Sequence, residues 1–120
     1  MSSGDWRDQW EQHGDREREK LDRMSGGELC ARVEAGQWGD YYQIWPALAT
    51  RATLAEAGWI LFAVIESASD MLPRYHAATA LLELLGESRW TEAELAAEHG
   101  REKHLPQLAA VLEQRIGPRR

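Results

Sequence analysis

The sequence has one cysteine, one phenylalanine and no strictly apolar run longer than Trp59 to Ile65. A single thiol excludes an intrachain disulfide framework, and a reduced Cys30 in a cytoplasmic protein is the expectation. The apolar run, bracketed by Glu56 and Glu66, falls far short of the about 20 residues that cross a bilayer. The start, Met1-Ser2-Ser3-Gly4-Asp5-Trp6, has neither the basic residues nor the apolar stretch of a secretory signal. Positive charge is also short: 14 Lys and Arg face 20 Asp and Glu, for a formal net charge of −6. Binding nucleic acid through phosphates needs a basic footprint, so no direct nucleic-acid contact is expected. No segment alternates polar and apolar residues as a half-buried strand does. A Gly-rich phosphate loop and a Ser-His-Asp arrangement at recognisable spacing are both missing.

What is present is a chain of 120 residues, 43% of them apolar, which suits one domain with a core rather than a disordered segment. Its charge is uneven. Residues 25–100 carry eleven acids and four bases, whereas 101–120 carry five bases and two acids. An acidic body of this kind attracts basic partners and speeds association, and it also serves solubility. The expected organisation is a charged N-terminal arm over 1–24, a single helical domain over 25–117 and a basic tail over 118–120. Six tryptophans against one phenylalanine is an unusual balance. Trp6 and Trp10, four apart, would be neighbours on a helix face of the arm.

Helix starts are well marked. Ser25-Gly-Gly-Glu28, Thr53-Leu-Ala-Glu56 and Thr91-Glu-Ala-Glu94 each fit a capping box, a hydroxyl followed three residues later by a carboxylate. Gly36, Gly39, Gly86, Gly100 and Gly117 read as stops. These signals predict helices over 26–37, 40–51, 54–68, 70–85, 91–99 and 102–116. Leu29 and Val33, Ile44 and Leu48, and Leu105, Leu108, Leu112 and Ile116 form inward faces. Leu72, Tyr75, Thr79, Leu82 and Leu85 form another. Helix 54–68 is apolar nearly all round and should be central. Pro73 and Pro106 fit first turns, while Pro46 should bend or divide its helix near Trp45. Trp90, just ahead of the Thr91 cap, suits a hydrophobic staple with Leu95. The fold class is therefore all-α, a compact antiparallel array of five to six helices.

Three prolines fall at matching points, in Ile44-Trp45-Pro46-Ala47-Leu48, Met71-Leu72-Pro73-Arg74-Tyr75 and His104-Leu105-Pro106-Gln107-Leu108. Asp70, Arg74, Ala77, Ala80, Leu81 and Leu84 resemble the inner helix of a HEAT-like repeat, and the first and last proline segments look like that family's kinked outer helices. The resemblance covers residues 40–116. It implies a short solenoid of stacked helix pairs whose faces bind proteins. It transfers no catalytic residue.

Few residues carry chemistry. His99 and Glu102 have metal-ligand spacing on a helix, but His104 falls out of register with both, so two surface histidines beside a loop are the simpler reading. Cys30 follows Leu29 on an apolar side and reads as a small buried residue. Arg74 can pair with Asp70 one turn earlier, or line a groove with His76. The most distinctive stretch is Gly36-Gln37-Trp38-Gly39-Asp40-Tyr41-Tyr42-Gln43-Ile44-Trp45, whose aromatics suit either a core corner or an interface.

No catalytic residue, metal or cofactor is assigned. The leading expectation is a non-catalytic protein-binding module that docks a larger partner, as an immunity- or antitoxin-like inhibitor or as an accessory subunit of an assembly. Trp6, Trp10, Trp38, Tyr41, Tyr42, Trp45, Arg74 and His76 are the candidate contact residues. Two alternatives stand beside it. One is a small helical enzyme with a site assembled from scattered residues such as His76, Arg74 and Glu66. The other is an acidic regulator of a nucleic-acid-binding protein, with Glu83, Glu87, Glu94 and Glu98 aligned on one face. Helix 54–68, needing cover on every side, also admits a homodimer.

Overall fold

Side-chain oxygens open the helices at the marked positions. A computed structural model describes the backbone of residues 5–119 and the side chains of 8–119. Its helices are α1 (Asp5–Leu21), α2 (Gly26–Glu34), α3 (Ile44–Arg51), α4 (Leu54–Ser67), α5 (Met71–Leu85), α6 (Glu92–Ala96) and α7 (Glu98–Ile116). No strand occurs among the described residues. Thr53 and Thr91 form complete capping boxes with Glu56 and Glu94. Ser25 accepts the Glu28 N–H at 3.1 Å. Gly36, Gly86 and Gly117, all at positive φ, follow the ends of α2, α5 and α7.

Several sequence expectations are corrected. The helices number seven among the described residues, because the charged arm itself forms α1. Residues 40–43 are not helical, and Pro46 is the third residue of α3, where its missing N–H breaks nothing. Gly100 does not stop a helix. The chain breaks at Ala97 instead, and α7 runs through both Gly100 and Pro106. On α5 the inward face is Ala77, Ala78, Leu81 and Leu85, with Leu82 also buried, whereas Leu72 is 47% and Tyr75 40% exposed. Small side chains at Ala77 and Ala78 suit close packing of α5, whose principal neighbour is α4, and Leu72 and Tyr75 are left on the outside.

α4 occupies the middle of the array, packed on α5, α7 and α2. α5 also meets α3 and α6, α6 meets α7, and α1 docks on α3. Leu29, Ile44, Leu48, Leu61, Ile65, Leu81, Leu95, Leu108 and Leu112 are fully buried. At about 25 cal/mol per Å² of apolar surface, each such side chain stabilises by roughly 1.5–3 kcal/mol before entropy is counted. The molecule is elongated, 53 × 31 × 24 Å, with a radius of gyration of 15.2 Å.

The last carbonyls of a helix have no partner inside it. Here side chains from other elements supply them. Arg51 of α3 donates to the Met24 carbonyl at 2.8 Å, just past α1. Arg101 of α7 donates to Ile65 and Glu66 in the last turn of α4, at 3.2 and 2.8 Å. Arg115 reaches the Leu85 carbonyl that ends α5, at 2.9 Å. Arg74 reaches Ala68 after α4 and Ala96 at the end of α6, at 3.1 and 2.9 Å. Two indoles do the same: Trp38 donates to Val33 in α2 and Trp59 to Gly117 after α7, each at 3.0 Å. A cation at a helix C-terminus also complements the negative end of the helix dipole.

Candidate functional site

The aromatic corner is built around one carboxylate. Glu17 of α1 accepts the backbone N–H groups of Asp40, Tyr41 and Gln43 at 2.9, 3.2 and 3.2 Å. The loop wraps so closely that a Cβ on Gly39 would collide with the Glu17 carboxylate, and Gly39 also has φ +78°. Tyr42 then takes φ +60°, a left-handed conformation that costs a non-glycine residue on the order of 1 kcal/mol. Its ring stacks on His76 of α5, with centroids 4.8 Å apart.

The candidate contact residues divide sharply in this setting. Trp45 is 2% exposed and belongs to the core, so it offers no contact surface. Trp38 packs against it, with ring centroids 5.5 Å apart, and is half-buried. Arg74 is buried by its bonds to Ala68 and Ala96, and it reaches those carbonyls rather than Asp70. It lines no groove with His76, which points from the far side of α5 toward Tyr42. Tyr41 sits between α1 residues, edge-on to Trp10 at 4.7 Å and stacked on His13 at 5.7 Å. Trp10 and Tyr42 stay exposed, as do Met71, Leu72 and Tyr75 on α5. The side chain of Trp6 lies outside the described residues.

A further concavity lies elsewhere, along α4. A groove of 690 Å³ runs from Ala55 to Ala68 between the end of α2 and the residues following α7. Ala55, Ile60, Ala63 and Val64 contribute its apolar floor. Trp38 and Trp59 contribute aromatic walls, and Glu34 and Glu56 contribute negative charge. Trp59 and Ile60 are therefore only half-buried, and the central helix is uncovered along one face. Arg119 borders the groove, its Nη1 3.0 Å from a Glu66 carboxylate oxygen and its guanidinium 5.3 Å from the Phe62 ring. Ala55, Ile60 and Ala63 carry no individual signal in the sequence. Their shared exposure at i, i+5 and i+8, on either side of Trp59, emerges only once α5 and α7 are seen to cover the others.

The groups with catalytic chemistry are separated or engaged. Arg74 is buried on carbonyls, Glu66 pairs with Arg119, and His76 is stacked on Tyr42. Burial holds the His76 pKa below its ordinary value. Burial, aided by the negative charges of Glu56 and Glu34, pushes the Cys30 thiol up to about 11 and keeps it protonated. The described residues contain no group of three or more His, Cys, Asp or Glu able to hold a metal ion. His104 Nε2 lies 3.3 Å from a Glu94 oxygen, while His99 and Glu102 are exposed. Glu94 also closes its capping box and Glu87 lies 3.8 Å from Arg89, so two of the four acids expected on an acidic regulator's face, Glu83, Glu87, Glu94 and Glu98, have local partners. No helix is long and apolar enough to cross a membrane among the described residues. Comparison with protein-family models, with curated proteins and with solved structures found no match.

Proposed function

We propose that this chain is a non-catalytic protein-binding module that docks a larger partner on the uncovered face of α4. The groove itself carries the reading. Fourteen helical residues at about 1.5 Å each give a trough of roughly 20 Å, the length of a short amphipathic helix. Half-exposed Trp38 and Trp59 are rigid amphipathic residues of the kind that anchor interfaces. Glu34 and Glu56, on an acidic body, favour basic residues flanking the partner's apolar stripe. An inhibitor of a basic toxin and an accessory subunit of an assembly are the two concrete forms of such a module.

Affinity capture from the source cells at physiological salt tests it, with A63R blocking the groove floor and L72S altering the distant α5 surface. Wild type and L72S should retain one stoichiometric partner that A63R, folded by circular dichroism, loses. Equal retention by A63R, or no stoichiometric partner at all, overturns the proposal. A homodimer is the second reading, with α4 of another copy in the groove. It is favoured by the apolar floor, and sedimentation showing only a monomer at micromolar concentration removes it.

A further inference from the structure

Positive charge is scarce in the body of this protein, and most of it has a partner. Arg51, Arg74, Arg101 and Arg115 bind helix-end carbonyls, while Arg18, Arg89 and Arg119 pair with carboxylates. Arg16, Lys20, Arg23, Arg32 and Lys103 make no ion pair with any described residue. Three of these five, Arg16, Lys20 and Arg32, line a single cleft of 410 Å³ between α1, the end of α2 and the 37–41 loop. On α1 the clustering follows from spacing: His13, Arg16 and Lys20 recur at i, i+3 and i+7 and share one face. Arg32 enters from the last turn of α2. The two carboxylates that line the cleft are Glu17 and Asp40, and Glu17 is already engaged by three loop N–H groups.

We propose that this cleft binds a phosphate group, free or carried by a small molecule. Two guanidinium forks and one ammonium lining one cleft suit a phosphate dianion by charge and donor number, and charge-assisted hydrogen bonds of this kind are short and strong. The volume lies within the range of small-molecule sites. Trp38 and Tyr41 in the wall give a flat substituent on the phosphate a surface to rest on. The site is separate from the α4 groove, although Trp38 borders both. A purely structural role for Lys20 and Arg32, complementing the C-terminal ends of α1 and α2, makes a different prediction. It requires that their loss lower stability without changing any response to phosphate.

The test is calorimetric titration of the full chain with pyrophosphate and, separately, adenosine monophosphate, at constant ionic strength set with chloride. Saturable binding is expected, with a shift of the Trp38 indole N–H resonance. R16A/R32A should weaken affinity at least about tenfold. R23A/K103A removes the same charge outside the cleft and should change affinity less than about twofold. The single variant R16Q, on an exposed helix face, gives the same direction if the double variant fails to fold. Preference for adenosine monophosphate points to an esterified ligand, and preference for pyrophosphate to an inorganic one, and both support the site. Absence of saturable binding, or equal loss in the two double variants, overturns it.

Discussion

Replacing Gly100 with alanine tests whether the α6–α7 elbow is set by backbone contact. A Cβ at this position would overlap the Glu94 carbonyl oxygen and stand 2.7 Å from its carbon. Carbon atoms prefer about 3.5–4.0 Å, so α6 has to retreat by roughly 1 Å. α6 spans only Glu92–Ala96, and it holds the fully buried Leu95 and Ala96 in place. Two effects oppose one another. Alanine favours the helix over glycine by about 1 kcal/mol, while forcing a methyl group into a packed site costs about 1–3 kcal/mol. The obstacle here is backbone, which cannot rotate aside as a side chain can, so the cost lies at the upper end. The expected net loss is about 2 kcal/mol, a fall in Tm of roughly 8 °C for a domain of this size. G27A provides the opposite case. Its Cβ meets nothing nearer than a Glu56 carboxylate oxygen at 3.8 Å, in the first turn of α2. That substitution should stabilise by about 0.5 kcal/mol. Thermal melts followed by far-ultraviolet circular dichroism read both. If G100A melts at or above wild type, the elbow does not rest on this contact and the reasoning fails.

R101A should lower the urea midpoint by the equivalent of about 1–2 kcal/mol, because two carbonyls ending α4 lose their donor; a midpoint unchanged from wild type counts against the tie. Cys30 has a folded pKa near 11 against an ordinary value of 9.0, so its contribution is whole below pH 9 and is lost as pH rises from 9 through 11. C30A should flatten stability over that window, and a disulfide reagent at pH 8 should label Cys30 only at the rate of unfolding; prompt labelling of native protein sinks this. His76 is shifted the other way, so its contribution is whole above pH 6.5 and is lost as pH falls from there through the lower folded value. H76Q should therefore show a shallower loss of stability between pH 7 and 5 than wild type, and parallel pH profiles refute it.

Local chemistry was legible in the sequence, and distant contacts were not. Thr53 and Thr91 announce their helices because both halves of a capping box lie within four residues. Gly36, Gly86 and Gly117 announce ends because a positive φ is a local need. Gly100 misleads because its need comes from the Glu94 carbonyl, six residues back across an elbow that no propensity encodes. Pro106 misleads with it, since a helix starting at Glu98 places it in the interior. The outward turn of Leu72 and Tyr75 escapes periodicity because α5 offers two apolar faces, and close packing selects the alanine-lined one. Trp45 and Trp38 show the same limit at the candidate site. A Gly-flanked aromatic run marks a special corner, yet which ring enters the core depends on how Glu17 gathers the loop from 23 or more residues away.

The side chains that complete the helix ends also decide how the molecule divides. Arg101 and Arg115 of α7 close α4 and α5 from 35 and 30 residues away, and Arg51 reaches Leu21, the last residue of α1, from 30. In an array whose neighbours meet only through flat apolar faces, a terminal unit peels off and leaves the remainder intact. Here the removal of α7 uncovers carbonyls at the ends of two other helices as well as apolar surface. Hydrogen exchange should accordingly report α4, α5 and α7 opening together as one unit, with the ends of α4 and α5 no less protected than their centres.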